Sequence, residues 1–259
     1  MGMITELPPN AFKQGLAAGK KQIGFWLTLA SASATEACAG AGYDWTLIDM
    51  EHSPNDLGDV VDHLRASVGG SAEPIVRIPW NDPVMVKRVL DAGARTLLFP
   101  YVQNADEVRR AVQATRYPPH GFRGTGGTTR ATLYGRVPNY FHRAAEQLCT
   151  IIQVESPEAV KAIPEMVKVE GLDAIFIGPN DLAANSGHLG DMYHADVQAM
   201  CNDALKAIKA GGKKAGILTF NVELAQKQFA LGFDFIAVGG DAGMLARGAE
   251  ALAKQFDGR

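Results

Sequence analysis

Three features of this 259-residue chain predict an α/β fold built as a single (β/α)8 barrel. Eight short β-rich runs recur along it, amphipathic segments lie between them, and no hairpin signal joins any two runs. Strands that alternate with helices and never meet at a tight turn are parallel strands joined by crossovers. Such barrels commonly run to about 250 residues as one domain, so residues 1–259 are read as one barrel domain.

The strands are expected at IGFWLTL (23–29), WTLIDM (45–50), PIVRIP (74–79), TLLFPY (96–101), CTIIQV (149–154), DAIFIG (173–178), KAGILT (214–219) and FDFIAV (233–238). The helical pattern shows in PVMVKRVLDAG, ADEVRRAVQAT, SPEAVKAIPEMVK and NVELAQKQFALG. Several of these open on Asp, Asn, Ser or Pro and close near Gly, as helix ends do. An open doubly wound sheet would carry a Gly-rich turn after its first strand, but that strand runs into ASASATEA. One irregular stretch, roughly 116–147, contains YPPHGFRGTGG. Loops of that length in compact domains tend to be functional or mobile.

Bulk composition excludes several classes. A net charge of -3 supplies no field for nucleic acid. No apolar run approaches the roughly 20 residues that span a bilayer. The N-terminal stretch has no charged leader with an apolar core, and its Met1-Gly2 start lacks the Ser or Thr of a myristoylation signal. The three cysteines, Cys38, Cys149 and Cys201, are widely spaced; they suit a reducing cytoplasm and form neither a zinc pattern nor a disulfide framework.

Chemistry in a barrel collects at the C-terminal ends of the strands. There the second strand ends in Asp49, Glu51 and His52, and the third carries Arg77. The fifth ends in Gln153 and Glu155, the sixth in Asn180 and Asp181. Strand alternation puts Gln153 and Glu155 on one face, and Asp49 and Glu51 on one face. Each residue has a plainer reading. Asp181 equally suits a helix cap, Glu155 a solvated strand end, His52 a structural histidine and Arg77 an ion pair. Their joint placement at one rim favours function. Two carboxylates without a His or Cys cluster make a hard-oxygen site for Mg2+ or Mn2+. Arg77 offers a fixed cation for a carboxylate or developing enolate, and His52 a general base or acid. That set describes carbon–carbon chemistry beside a carbonyl. A Schiff-base lysine would have to sit at a strand end, and none does: Lys213 and Lys214 precede the seventh strand, and Lys87, Lys161, Lys206, Lys227 and Lys254 fall on helical segments.

At these residues the chain resembles the metal-dependent (class II) pyruvate aldolases of the HpcH/HpaI aldolase family. The resemblance runs from roughly Phe12 to Phe256, through DWTLIDMEH, VRIPWND, LDAGARTLLFPYVQNADE, YPPHGFRG, IIQVES and IFIGPNDLA. It implies reversible aldol cleavage of 4-hydroxy-2-keto acids to pyruvate and an aldehyde. It also implies that Glu155 and Asp181 bind Mg2+, Mn2+ or Co2+, and that Gln153 and Asn180 touch the pyruvate unit. His52 matches the family's general base, Arg77 its enolate-stabilising arginine, and Asp91 the acid that raises the histidine's basicity. Asn180 stands where the family commonly has a small residue, so its contact is expected through the backbone.

Asp91 ends a helix, and a helix of ten residues spans about 15 Å toward the foot of the barrel, so it is expected to serve His52 of a neighbouring subunit. The family's hexamer, with an exchanged C-terminal helix, agrees with this. The stripe Met244, Leu245, Leu252 and Phe256 is the apolar face such an exchange needs.

Asp49 and Glu51 are expected to orient waters or ligands. Leu218 is expected in the pocket wall, Trp26 in the core or the wall, and Arg123 either at the mouth facing an acidic substrate tail or on a flexible loop. GFRGTGG is not a nucleotide loop. Asp241, in VGGDAG at the usual phosphate position of barrels, disfavours a phosphosugar. Two rival readings are an acyl-CoA lyase of the citrate-lyase type, which needs a basic pocket beyond Arg123 and Arg130, and a catalytically idle barrel used for binding.

Overall fold

The computed structural model describes residues 5–7 and 9–256; the Met1-Gly2 start considered above lies outside the described residues. Eight strands close into a parallel barrel in sequence order, with β8 pairing back on β1. They are β1 (Gln22–Leu27), β2 (Trp45–Asp49), β3 (Glu73–Arg77), β4 (Thr96–Phe99), β5 (Cys149–Val154), β6 (Ala174–Ile177), β7 (Lys214–Leu218) and β8 (Phe235–Gly240). The helices are α1 (Ala11–Ala17), α2 (Ala32–Ala39), α3 (Leu57–Ala66), α4 (Pro83–Asp91), α5 (Ala105–Thr115), α6 (Tyr140–Gln147), α7 (Pro157–Met166), α8 (Pro179–Asn185), α9 (Ala195–Ala210), α10 (Val222–Leu231) and α11 (Asp241–Lys254). Side-chain caps start several of them: Asp82, Asn104, Ser156 and Asn221 each accept a backbone N–H of the first turn.

Alternation splits the strand residues into two layers. Ile48, Val76, Leu97, Ile152, Ile175, Ile217 and Ile236 face outward and join the helix-facing core. Leu47, Ile75, Leu98, Ile151, Phe176 and Phe235 face inward and fill the barrel. The interior is tight enough that a Cβ on Gly24 would meet the Trp45 ring at 2.0 Å. The sequence reading did not anticipate α1, which plugs the foot. Phe12 stands edge-on to Trp45 and Phe235, with centroids 6.1 and 5.2 Å apart. Burying a side chain of that size contributes about 1.5–3 kcal/mol.

The stretch 116–147 differs from its expectation. It forms a 3-10 turn (Arg130–Thr132) and α6, held by a small core of Ala131, Val137, Tyr140 and Ala144. It also lies at the foot: Arg130, Leu133 and Tyr140 line a cavity of about 560 Å³ shared with Gly69–Pro74 and Gly93–Arg95, the turns that lead into β3 and β4. The reason is direction. A barrel helix runs from mouth to foot, so a segment that continues from α5 begins at the foot.

Candidate active site

The inward face continues past the last core residues. Two positions beyond Leu47, Ile75 and Ile151 come Asp49, Arg77 and Gln153, and Glu155 follows on the same face. Asp49 receives both arms of Arg77, from Nε to Oδ1 at 2.9 Å and from Nη2 to Oδ2 at 2.6 Å. The Trp26 indole N–H donates to Asp49 Oδ2 at 3.1 Å, and the Arg77 guanidinium lies 5.1 Å over the Trp26 ring. Arg77 Nη1 stands 2.8 Å from Glu51 Oε2, a contact of charges rather than an aligned hydrogen bond. Burial works to raise the Asp49 carboxyl, but the Arg77 bonds and charge, with help from the Glu51 N–H and Trp26, hold it below the usual range.

The backbone N–H groups of Glu51 and His52 also donate to Asp49 Oδ1, at 3.0 and 3.4 Å. Asp49 therefore organises its own turn, and that is why LIDMEH ends in so many polar groups. The His52 imidazole is left 62% exposed at the mouth, with Nε2 3.8 Å from Glu51 Oε2.

Glu155 is gripped from three sides. Gln153 Nε2 donates to its Oε1, the Tyr101 N–H donates to Oε2 at 2.9 Å, and Asn185 Nδ2 donates to its backbone carbonyl at 2.9 Å. Tyr101 offers that N–H from a left-handed backbone, φ 52, a conformation that costs a non-glycine residue about 1–3 kcal/mol. Gly178 fits because a Cβ there would stand 2.5 Å from Glu155 Oε1 and 2.8 Å from Gln153 Nε2. Gly178 is also the N-cap of α8, so the helix-cap reading of Asp181 fails; Asp181 sits in the first turn and lines the mouth. Burial first, then the charges of Asp181 and Glu51, push the Glu155 carboxyl up to about 8 against the pull of Arg77. Burial likewise raises Glu51, against Arg77 and His52. Four acidic side chains, Asp49, Glu51, Glu155 and Asp181, around one guanidinium leave the mouth short of positive charge. Gln153 Oε1 is buried there without a hydrogen-bond partner. The oxygen donors of Glu155 and Asp181 fit a hard divalent cation, whose charge meets the deficit.

Trp26, Asp49, His52, Arg77, Gln153, Asn180, Asp181 and Leu218 line one cavity of about 260 Å³. Glu51 and Glu155 border it through Arg77 and Gln153. Asp91 and Arg123 are elsewhere in the chain's own fold. Asp91 ends α4, and its Oδ1 accepts from Arg123 Nη2 at 2.7 Å. Arg123 does not line the mouth of its own barrel, and it does not ride a flexible loop. Its side chain is fully buried, stacked 4.7 Å from the Tyr117 centroid in the segment that starts at the foot. Asp241 occupies the phosphate position and takes its donors: the N–H groups of Thr28, Leu29 and Ala242 all reach its carboxylate. The sequence reading missed Thr28, Phe220 and Ala242 in the wall. Thr28 and Phe220 lie two residues beyond Trp26 and Leu218, where the alternation rule points to them.

A second metal-capable group, His188, His194 and Asp196, lies at the start of α9. Its two rings stack with centroids 3.6 Å apart and planes 17° apart. His194 Nδ1 accepts the Asp196 N–H as the helix cap. Lone pairs lie in the ring planes, so stacked imidazoles do not converge on one ion, and the cluster reads as a cap.

A closed parallel barrel with polar side chains gathered on the inward face at the strand ends is the architecture of a barrel enzyme. The chain belongs to the HpcH/HpaI aldolase/citrate lyase family, whose pattern matches residues 22–248. It is 51% identical over 248 residues to the 4-hydroxy-2-oxo-heptane-1,7-dioate aldolase of Klebsiella pneumoniae, covering 95% of this chain and 94% of that one. Its Escherichia coli counterpart is 49% identical over the same length, with 95% of each chain covered. Among solved structures, an HpcH/HpaI aldolase/citrate lyase family protein of Burkholderia cenocepacia superposes with a TM-score of 0.91 at 41% identity, covering 95% of this chain and 98% of that one.

Proposed function

We propose that the chain is a single-domain barrel enzyme for reversible aldol cleavage of 4-hydroxy-2-keto acids to pyruvate and an aldehyde. The observation that carries this reading is the convergence of Glu155 and Asp181 with Arg77 and His52 at one cavity. The relatives' printed substrate, a 4-hydroxy-2-oxo diacid, belongs to the same chemical class. A divalent ion, Mg2+, Mn2+ or Co2+, held by Glu155 and Asp181 would supply positive charge beside the keto and carboxylate oxygens of the pyruvate half.

Gln153 borders that half, and exposed Asn180 meets it through the backbone at the start of α8. Arg77 cannot swing, because Asp49 holds two of its nitrogens. Its remaining N–H groups are fixed donors for an oxyanion. In cleavage His52, directly or through water, takes the C4 hydroxyl proton. The C3–C4 bond then breaks, the C4 carbonyl leaves as the aldehyde, and the electron pair becomes the pyruvate enolate facing Arg77. Protonation at C3 gives pyruvate. Asp49 and Glu51 act by holding Arg77 and the turn that presents His52. The acyl-CoA rival loses its basic pocket: Arg123 is paired with Asp91, and Arg130 donates to the Ala92 and Leu64 carbonyls.

We also propose a homo-oligomer, a hexamer by resemblance, in which α11 is exchanged between subunits. Among the described residues of α11 only Asp241 is buried, while Met244, Leu245 and Leu252 stay exposed by 60, 63 and 59%. Asp91, a quarter exposed at the end of α4, then serves a neighbour's His52. The cysteines are all free thiols, which fits the cytoplasm. Among the described residues, no helix is long and apolar enough to cross a membrane. The deciding experiment measures pyruvate release from a panel of 4-hydroxy-2-keto acids. EDTA should abolish release and Mn2+ restore it; full activity in metal-stripped enzyme, or a pyruvate adduct trapped by borohydride, contradicts the reading.

A further inference from the structure

We infer that Asn55 is a positioning residue for His52, and that His63 and Thr35 hold Asn55 in the orientation this needs; the inference rests on the aldol reading above and adds a part to its proton-transfer step. Among the described residues no hydrogen bond fixes the His52 imidazole, whose contact with Glu51 Oε2 spans 3.8 Å. The backbone of the turn after β2 therefore decides where the ring stands. That turn is closed on Asp49 from both ends. The Asp49 carboxylate takes the Glu51 and His52 N–H groups at 3.0 and 3.4 Å. At the far end, Asn55 Nδ2 donates to the Asp49 backbone carbonyl at 2.8 Å and reaches the Leu27 carbonyl at 3.4 Å. Ser53 adds to the tie. Its hydroxyl donates to the Asp49 carbonyl and accepts from the Asn55 Nδ2 and backbone N–H, at 2.8 and 3.2 Å.

Behind Asn55 a chain of buried side chains runs out to the helices. Asn55 Oδ1 faces His63 Nε2 on α3 at 2.8 Å, and His63 Nδ1 meets the Thr35 hydroxyl on α2. All three residues are buried, so water does not stand in for a lost partner. The two carbonyls set the direction of the whole chain. An amide that donates to Asp49 and Leu27 presents its oxygen to α3, so His63 Nε2 carries the proton and Nδ1 accepts the Thr35 O–H. One neutral tautomer satisfies every group. A flipped Asn55 would set its oxygen against those carbonyls and leave buried polar groups unmatched. The two helices thus lock an amide whose other end fixes the His52 turn. Arg77 stands outside this chain. Asp49 pairs with it in strand register between β2 and β3, and grips it through the carboxylate rather than the carbonyl. Loosening Asn55 should displace His52 and leave the guanidinium in place.

The test compares two activities of the full-length, assembled, Mn2+-loaded enzyme. One is cleavage of the best substrate in the panel above, which needs His52. The other is proton exchange at the pyruvate methyl, which depends on the metal and Arg77. Asn55→Ala should lower kcat for cleavage about 10-fold or more, since a misplacement of about 1 Å can cost about 100-fold. KM and exchange should stay within about twofold of wild type. His63→Leu, which removes the donor to Asn55 Oδ1, should give the same split. His63→Gln, whose amide can still donate, should restore most of kcat. Introduced into His52→Ala, Asn55→Ala should lower the residual cleavage no further, because its effect runs through the imidazole. Cleavage and exchange falling together, cleavage unchanged in Asn55→Ala and His63→Leu, or a further loss on the His52→Ala background overturns the inference. If Asn55→Ala does not assemble, His63→Leu and His63→Gln decide alone. A wild type with neither cleavage nor exchange overturns the aldol reading and takes this inference with it.

Discussion

Asp49→Asn tests whether Asp49 is the anchor of the mouth. The change keeps the shape and removes one charge. Asn can keep one of the two hydrogen bonds from Arg77, but its amide NH2 then faces the other guanidinium N–H. A hydrogen bond to a charged group contributes roughly 1.5–3 kcal/mol, and breaking a buried ion pair costs about 3–5 kcal/mol. Asp49 and Arg77 are 1 and 6% exposed, so solvent offsets little of this. The two ranges meet at about 3 kcal/mol. For a chain of this size that corresponds to a Tm lower by roughly 6–12 °C near neutral pH. The pH dependence has a definite sign. The folded carboxyl is held below its unfolded value, so its stabilisation is full above that unfolded value and is lost as pH falls through the folded one. Calorimetric melts at a series of pH values should therefore show the gap between wild type and Asp49→Asn closing below about pH 4. A Tm drop under about 2 °C near neutral pH, or a gap that stays constant down to pH about 3, refutes the anchoring argument.

Gly178→Ala should cost about 1–3 kcal/mol by overpacking and lower activity, because its methyl would stand 2.5 Å from Glu155 Oε1; melts and pyruvate release check both. The raised Glu155 carboxyl predicts that metal-free enzyme loses stability as pH climbs from its unfolded value toward about 8, and that Glu155→Gln removes this loss. Mn2+ at a hundred times its Kd should stabilise the wild type by about 2.7 kcal/mol and Glu155→Gln far less, read as Tm. His52→Ala should lose about 100-fold or more in turnover yet still bind pyruvate and metal; near-normal cleavage would remove His52 from its role. Mixing inactive His52→Ala chains with inactive Asp91→Ala chains, under conditions where subunits exchange, should regain partial activity. A fully active monomer would show Asp91 to be a helix-end residue.

The barrel was legible in the sequence because all eight strands are β-branched or aromatic runs with regular helical spacers, and only their ends moved by a few residues. The mouth was legible for a related reason: alternation projects Asp49, Arg77, Gln153 and Glu155 inward wherever the register is known. The plug α1 was not, since AFKQGLA is too short to declare itself and is held by Phe12 against Trp45 and Phe235, contacts distant in sequence. The direction rule that puts Asp91 at the foot applies equally to Arg123, which follows the end of α5, but YPPHGFRG carries no local mark of which end of the barrel it decorates. Phe220 was within reach of the same alternation that gave Leu218. The grip on Glu155 was not, because it depends on the left-handed turn at Tyr101 and the close approach of Gly178.

The central claim is that Glu155 and Asp181 hold a divalent ion beside Arg77 so that pyruvate can form its enolate at this mouth. The most direct measurement is deuterium exchange at the pyruvate methyl, followed by NMR with no aldehyde present, in metal-stripped wild type, in wild type with Mn2+, and in Glu155→Gln with Mn2+. Exchange should be negligible without metal, rapid in wild type with Mn2+, and lost again in Glu155→Gln. Rapid exchange in the metal-stripped wild type, or undiminished exchange in Glu155→Gln, would contradict the claim.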